Sequence, residues 1–181
     1  MTQRVPALDL VSHSPDQTRQ FAATLARHLR GGDVLLLQGP LGSGKTTFVQ
    51  GLARGLGVRE YVQSPTFILV MEHRGTLSDG TPIRLYHIDL YRLEEARELA
   101  TFGLEDCLSD PAGITVIEWS ERLPEHWVDE YLVVRFEPLA DTKRRLAFFP
   151  VGERARELVE ALRKEVVGGA KRSTAPGHRD G

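Results

Sequence analysis

Apolar positions along this chain change period several times, and each change marks an element. Ser14-Pro15-Asp16-Gln17 opens the first helical stretch. Ser14 can cap the amide three residues on, Gln17 can return the bond, and Pro15 needs no amide partner at the first helical position. Phe21, Leu25 and Leu29, with Ala22 and Ala26, then form one stripe at helical spacing, and Gly31-Gly32 ends it. The run Val34-Leu35-Leu36-Leu37 is too apolar to leave a wet face, which predicts a strand in the middle of a sheet. A glycine-rich loop follows. From Lys45, the positions Phe48, Val49, Leu52, Ala53 and Leu56 return to helical spacing and stop at Gly57.

Beyond this strand, loop and helix, Phe67 to Glu72 and Ile83 to Leu90 read as two strands joined by LSDGTP, whose Asp79-Gly80 is a hairpin signal. Glu94 to Leu108 reads as a helix with a possible break at Gly103. Gly113 to Glu118 reads as a buried strand ending in an acid. Two further strands, Tyr131 to Phe136 and Arg145 to Phe149, precede a last helix whose Ala155, Leu158, Val159, Leu162 and Val166 face one side. The pattern predicts an α/β fold: one domain with a mixed sheet, parallel plus antiparallel, flanked by helices.

Composition narrows the class. A chain of 181 residues with 41% apolar content suits one domain with a core that needs neither disulfide nor metal. The formal net charge of −2 provides no field that would hold nucleic acid by itself. Cys107 is the sole cysteine, which excludes an intramolecular disulfide or a site of several thiolates and suits a reducing cytoplasm. The start MTQRVPALDL has Pro6 and Asp9 where a signal peptide needs an apolar core, and no run is long enough to span a membrane. Residues 168 to 181 are rich in small and polar types and carry Lys171, Arg172 and Arg179 against Asp180. We expect the domain to occupy 1–167 and residues 168–181 to form a disordered basic tail.

The segment Gly39 to Thr46, GPLGSGKT, satisfies G-x-x-x-x-G-K-[ST] and lies between a predicted buried strand and a predicted helix, the context this phosphate loop requires. Gly39, Gly42 and Gly44 let backbone amides converge on anionic oxygens, and the helix N-terminus adds its positive dipole. Ser43 and Thr47 complete the candidate phosphate-binding set. Lys45 brings a full charge to the β and γ phosphates, and the Thr46 hydroxyl suits a Mg²⁺ that keeps its other oxygens from phosphate and water. The chain contains no asparagine, so the N-K-x-D motif that reads guanine is absent and ATP is the expected nucleotide.

Glu118 ends its apolar strand where a second acid motif should, with its carboxylate available to Mg²⁺ or to an attacking water. Asp89, in Tyr86 to Arg92, is the other acid beside apolar strand residues and a second candidate for metal or water. Thr66, in Ser64-Pro65-Thr66, is either a turn residue or a hydroxyl presented to the γ-phosphate. Trp119 is either core or a wall of the nucleotide site. His87 shares strand parity with Asp89, and a lone strand histidine reads first as structural. Cys107 reads as packing.

In combination, GPLGSGKTTF (Gly39 to Phe48), SPTF (Ser64 to Phe67), YHIDLYRL (Tyr86 to Leu93) and VIEWSE (Val116 to Glu121) resemble the TsaE family, in order and at family-like spacing over residues 10 to 150. These are small bacterial ATPases that support threonylcarbamoyladenosine modification of tRNA beside the anticodon. The resemblance implies a P-loop ATPase that is monomeric alone, binds ATP and Mg²⁺, hydrolyses slowly by itself and works with TsaD, the transferase, and TsaB, its companion. tRNA would be reached through that complex. Carried over by motif, Lys45 and Thr46 would hold phosphates and Mg²⁺, Glu118 would be the acid beside Mg²⁺, and Asp89 would be essential for hydrolysis. Thr66 would sense the nucleotide, Trp119 would lie near it, and the helix-cap residues Ser14 to Thr18 would lie near the adenine. A late basic residue near the phosphates falls within Lys143-Arg144-Arg145, with Arg144 preferred. Phe67 stands where relatives often have tyrosine, so no hydroxyl role carries over there.

Two other readings fit a phosphate loop in a chain of this size. A small-molecule kinase would need an arginine-bearing lid, for which Arg92 and Arg97 are the candidates. A nucleotide-dependent RNA or scaffold protein would make its contacts through the basic tail.

Overall fold

The structure is a computed structural model, and it describes residues 4–63, 70–95, 97–101, 103–124 and 127–173. A seven-stranded sheet runs through the molecule: β1 (Leu8–Ser12), β2 (Val34–Gln38), β3 (Val70–Thr76), β4 (Pro82–Asp89), β5 (Gly113–Glu118), β6 (Tyr131–Pro138) and β7 (Arg144–Val151). Their spatial order is β1-β7-β6-β2-β5-β4-β3. β2 is parallel to both neighbours, and β4 is parallel to β5; β3, β7 and β1 add antiparallel pairs at the two edges. The mixed α/β architecture expected from the pattern is present.

The most apolar runs take the central places. β2 is the fourth strand of the seven, with Val34 to Leu37 buried, and β5 is buried at all of its six residues. Side chains alternate across a strand, so each central strand feeds two cores. On one face, Leu35, Leu37, Leu85, Val116 and Val134 pack with α1 (Pro15–Ala26), α2 (Lys45–Gly55) and α5 (Glu153–Ser173). On the other, Leu36, Ile88, Ile117 and Val133 meet Leu90, Leu93, Leu99 and Leu104 from the segment that carries α3 (Glu98–Thr101) and α4 (Leu104–Ser109). Each fully buried leucine contributes about 1.5–3 kcal/mol through burial.

Local signals explain most element ends. Ser14 accepts the Gln17 amide at 3.0 Å, while the Gln17 side chain accepts from the His13 amide at 2.7 Å, one residue earlier than a capping box places it. Gly103, at φ 73°, breaks the expected Glu94–Leu108 helix into α3 and α4. α1 and α2 approach closely because their contact is made of small residues: a Cβ on Gly51 would lie 2.8 Å from the Ala22 methyl, and one on Gly55 would meet Ala26 at 2.6 Å. Where the pattern predicts a strand over Phe67 to Glu72, the structure describes β3 from Val70 on and carries it to Thr76. α5 runs to Ser173, so the boundary drawn at 167 falls inside this helix; residues 174–181 lie outside the described residues.

Candidate functional site

Strand β2 delivers the glycine-rich loop to the edge of the sheet where the parallel strands β4 and β5 also end, the place at which open α/β sheets bind ligands. Gly39, Gly42 and Gly44 have φ of 150°, 74° and 106°. The last two lie in the left-handed region, so the loop's path needs glycine there. At Gly39 a Cβ would also lie 2.7 Å from the Phe136 carbonyl oxygen and 2.8 Å from Ser43 Oγ. α2 starts at Lys45 directly after Gly44, which aims its free amides and dipole into the loop.

A cleft of about 210 Å³ opens over this helix start. Leu41 to Thr47 form its floor, Pro15 and Thr18 one wall, Trp119 a second, and Asp141, Thr142 and Arg144 a third. Of the three late basic residues, Arg144 reaches the loop, donating from Nη2 to the Gly42 carbonyl at 3.3 Å and from Nη1 to the Ala140 carbonyl at 2.7 Å. Arg145 points elsewhere and pairs with Asp9 at 2.6 Å. Ser14 is spent on the helix cap, and Pro15 and Thr18 face the cleft in its place. Ser43 Oγ is buried with no hydrogen-bond partner among the described residues.

The acids converge beneath the loop. β4 and β5 pair Asp89 with Glu118 in register, and parallel partners in register share a face. Glu118 is 2% exposed, and the Thr46 hydroxyl donates to its two carboxylate oxygens at 2.9 and 3.2 Å. Asp89 is 8% exposed and accepts the Tyr91 amide at 2.9 Å, a local turn that fixes one of its oxygens. Lys45 folds back onto the loop, donating to the Gly39 carbonyl and, at 3.4 Å, to that of Pro40. Burial lowers the Lys45 pKa from its ordinary value, opposed by the charges of Glu121, Glu118 and Asp89.

Trp119 does both things the sequence left open: it lines the cleft and packs against the core of the opposite sheet face. It takes φ 57°, the only positive φ at a non-glycine among the described residues, and this turns the chain out of β5 at once. Its ring lies 3.5 Å under Lys45 Nζ and 5.0 Å from the Tyr91 ring. The 3₁₀ turn at Ser120–Arg122 then brings Glu121 back toward Lys45. Desolvation raises the Glu121 pKa, with Lys45 pulling it down. Sequence reasoning assigned Glu121 nothing; the acid three residues past Glu118 was visible, and the left-handed turn that returns it was not.

His87, read first as structural, lies fully buried with Nε2 against Glu118 Oε2. Its parity with Asp89 was the available signal. Thr66 and the rest of 64–69 lie outside the described residues. On the segment that carries Arg92 and Arg97, the kinase-lid candidates, Leu93 and Leu99 pack on the sheet face opposite Glu118, and Arg97 pairs with Glu95.

Fold and site together define the class: a phosphate-loop α/β protein with a strand-end acid bonded to the loop's hydroxyl residue. The family model described as "Threonylcarbamoyl adenosine biosynthesis protein TsaE" matches residues 12–146. Among curated relatives, the tRNA threonylcarbamoyladenosine biosynthesis protein TsaE of Bacillus subtilis (strain 168) is 37% identical, covering 82% of this chain and 89% of its own length. That of Treponema pallidum (strain Nichols) is 38% identical, covering 75% and 96%. Among solved structures, the crystal structure of Bacillus subtilis YdiB matches with a TM-score of 0.70 and 32% identity over 91% of this chain and 99% of that one. The chain belongs to the TsaE family. Among the described residues, no helix is long and apolar enough to cross a membrane.

Proposed function

We propose that this protein binds and hydrolyses ATP with Mg²⁺ and that this cycle drives or resets the tRNA threonylcarbamoyladenosine modification complex formed by TsaD and TsaB. The observation that carries the reading is the Thr46–Glu118 hydrogen bond of 2.9 Å, which ties the phosphate loop to the strand-end acid. A hydroxyl and a carboxylate within one hydrogen bond, at the start of α2 beneath the glycine-rich loop, suit a divalent cation held beside a triphosphate.

The residues fit the parts they would play. The amides of Gly42, Ser43 and Gly44 and the start of α2 would seat the β and γ phosphates, with the unpartnered Ser43 hydroxyl available to them. Lys45 would exchange its hold on the Gly39 and Pro40 carbonyls for phosphate oxygens, and Arg144 would add charge from the far wall. Among the described residues, no three His, Cys, Asp or Glu side chains form a metal cage, so Thr46 and Glu118 would hold a cation that shares phosphate and water. Bound Mg²⁺ supplies charge neutralisation on the phosphates. Asp89, beside Glu118, would hold and orient the attacking water, with Glu118 turned to the metal side. Pro15 and Thr18 would border the base, and Thr66 would respond to the γ-phosphate.

ATPase rates with and without a TsaD–TsaB complex test the proposal. The rate should rise with the complex and fall about a hundredfold or more in Asp89→Ala, a loss typical of removing a positioned acid–base group. A rate indifferent to both contradicts it. Phosphate appearing on a small acceptor, instead of free in solution, would also contradict it.

A further inference from the structure

Glu118 is buried between two hydrogen-bond partners that reach it from different elements. Thr46, at the start of α2, donates to Oε1 at 2.9 Å and to Oε2 at 3.2 Å. His87, on β4, places Nε2 against Oε2, with the His87 side chain fully buried and that of Glu118 3% exposed. The other ring nitrogen, Nδ1, is buried and has no hydrogen-bond partner among the described residues. An unsatisfied buried N–H costs more than an unsatisfied acceptor lone pair, so the neutral ring carries its proton on Nε2 and donates it to Glu118.

His87 meets Oε2 alone, while Thr46 reaches both oxygens and lies closer to Oε1. A carboxylate on a glutamate stem rotates freely about its last torsion unless an oxygen is held. His87 sits one pleat before Asp89 on the same strand face; β4 is paired on both sides, which fixes its backbone, and the ring is fully buried, which confines its rotamer. It therefore acts as a fixed post for Oε2, and the rotor stops with Oε1 aimed at the Thr46 hydroxyl. Any cation that Thr46 helps to hold meets an oxygen already oriented toward it.

We infer that His87 is a positioning residue for the nucleotide site: it locks Glu118 so that the Mg²⁺-dependent part of nucleotide binding is preorganised, while the phosphate loop's own grip is independent of it. The inference rests on the proposed Mg²⁺–ATP reading. Groups that orient a metal-side carboxylate typically govern ten- to hundredfold in metal affinity.

The test measures ATP affinity in EDTA and again across a Mg²⁺ titration, for the wild type, His87→Leu and His87→Gln, with thermal unfolding of each in the absence of nucleotide. Leucine removes the donor. Glutamine can return an N–H to a similar place, because its amide nitrogen lies about as far from Cα as Nε2 does. His87→Leu should bind ATP in EDTA within about twofold of wild type and require roughly tenfold more Mg²⁺ to reach full affinity. His87→Gln should recover most of that loss. Equal Mg²⁺ requirement in all three proteins overturns the inference, and so does an equal loss in both variants, which would mark His87 as packing alone. If His87→Leu does not fold, His87→Gln decides by itself: a Mg²⁺ requirement near wild type supports the donor role, and one raised tenfold overturns it. A wild type that binds ATP in EDTA but gains nothing from Mg²⁺ overturns the inference while leaving the nucleotide site standing; a wild type that binds no ATP removes the reading beneath both.

Discussion

At the scale of single residues, this protein places charges where burial alone would not allow them, by giving each a fixed partner. Asp110 shows the principle away from the candidate site. It accepts from Arg84 Nε and Nη2 at 2.6 and 2.7 Å, from the Tyr86 hydroxyl at 2.7 Å and from the Ala112 amide at 3.0 Å. Arg84 and then Tyr86 hold the Asp110 carboxyl well below its ordinary value of 3.8. A depressed carboxyl pKa means that the folded state resists protonation more than the unfolded chain does. The stability it adds is present above about pH 4 and lost as pH falls below it. Tyr86 moves oppositely, pushed up from 10.0 to about 12, chiefly by burial and then by Asp110. Its contribution is present below pH 10 and lost as pH rises toward 12. Thermal unfolding of Asp110→Asn against wild type should therefore show a lower melting temperature at pH 7 and a flatter decline between pH 5 and 3. Parallel acid limbs would contradict the assignment.

Lys45 obeys the same logic in the site. Desolvation weakens its charge, three nearby acids restore it, and the Trp119 ring and two loop carbonyls fix its head. Lys45→Ala should weaken ATP binding about ten- to hundredfold, the loss expected for charge-assisted bonds, with the fold's melting temperature little changed. Calorimetric titration reads the first, and unfolding without ligand the second.

At the scale of elements, what was legible in the sequence follows from how local each determinant is. The β2 run of four successive apolar residues and the β5 run Ile114-Thr115-Val116-Ile117, apolar but for one threonine, each declare a buried central strand. The Ser14 cap and the phosphate loop are read within a few residues as well. β1 was missed. Its Leu8, Leu10 and Ser12 do alternate inward, but five residues with a buried serine make a weak pattern, and the strand exists because β7 offers an edge to it. The contact of His87 with Glu118 and the approach of Glu121 to Lys45 were not legible for the related reason that strand register and a left-handed turn create them. Gly51 and Gly55 in α2 are where α1 seats. Gly51→Leu should destabilise by about 1–3 kcal/mol through overpacking against Arg19 and Ala22, and Leu35→Ala in β2 by about 2–5 kcal/mol through the cavity it leaves. Chemical denaturation measures both. Wild-type stability in Gly51→Leu would contradict the close α1–α2 seat.

At the scale of the molecule, one sheet serves two purposes. Its two apolar faces stabilise the fold, and the ends of β2, β4 and β5 on one edge gather Lys45, Thr46, Asp89 and Glu118 into a site that no single segment contains. The described residues form one sheet with its flanking helices, and the site lies at one end of it. The most direct measurement is calorimetric titration of Mg²⁺–ATP and Mg²⁺–GTP into the wild type and Lys45→Ala. Saturable ATP binding to the wild type, weaker GTP binding, and an ATP affinity lowered at least tenfold in Lys45→Ala are expected. ATP binding of equal strength in both proteins, or none in the wild type, would contradict the proposed nucleotide site.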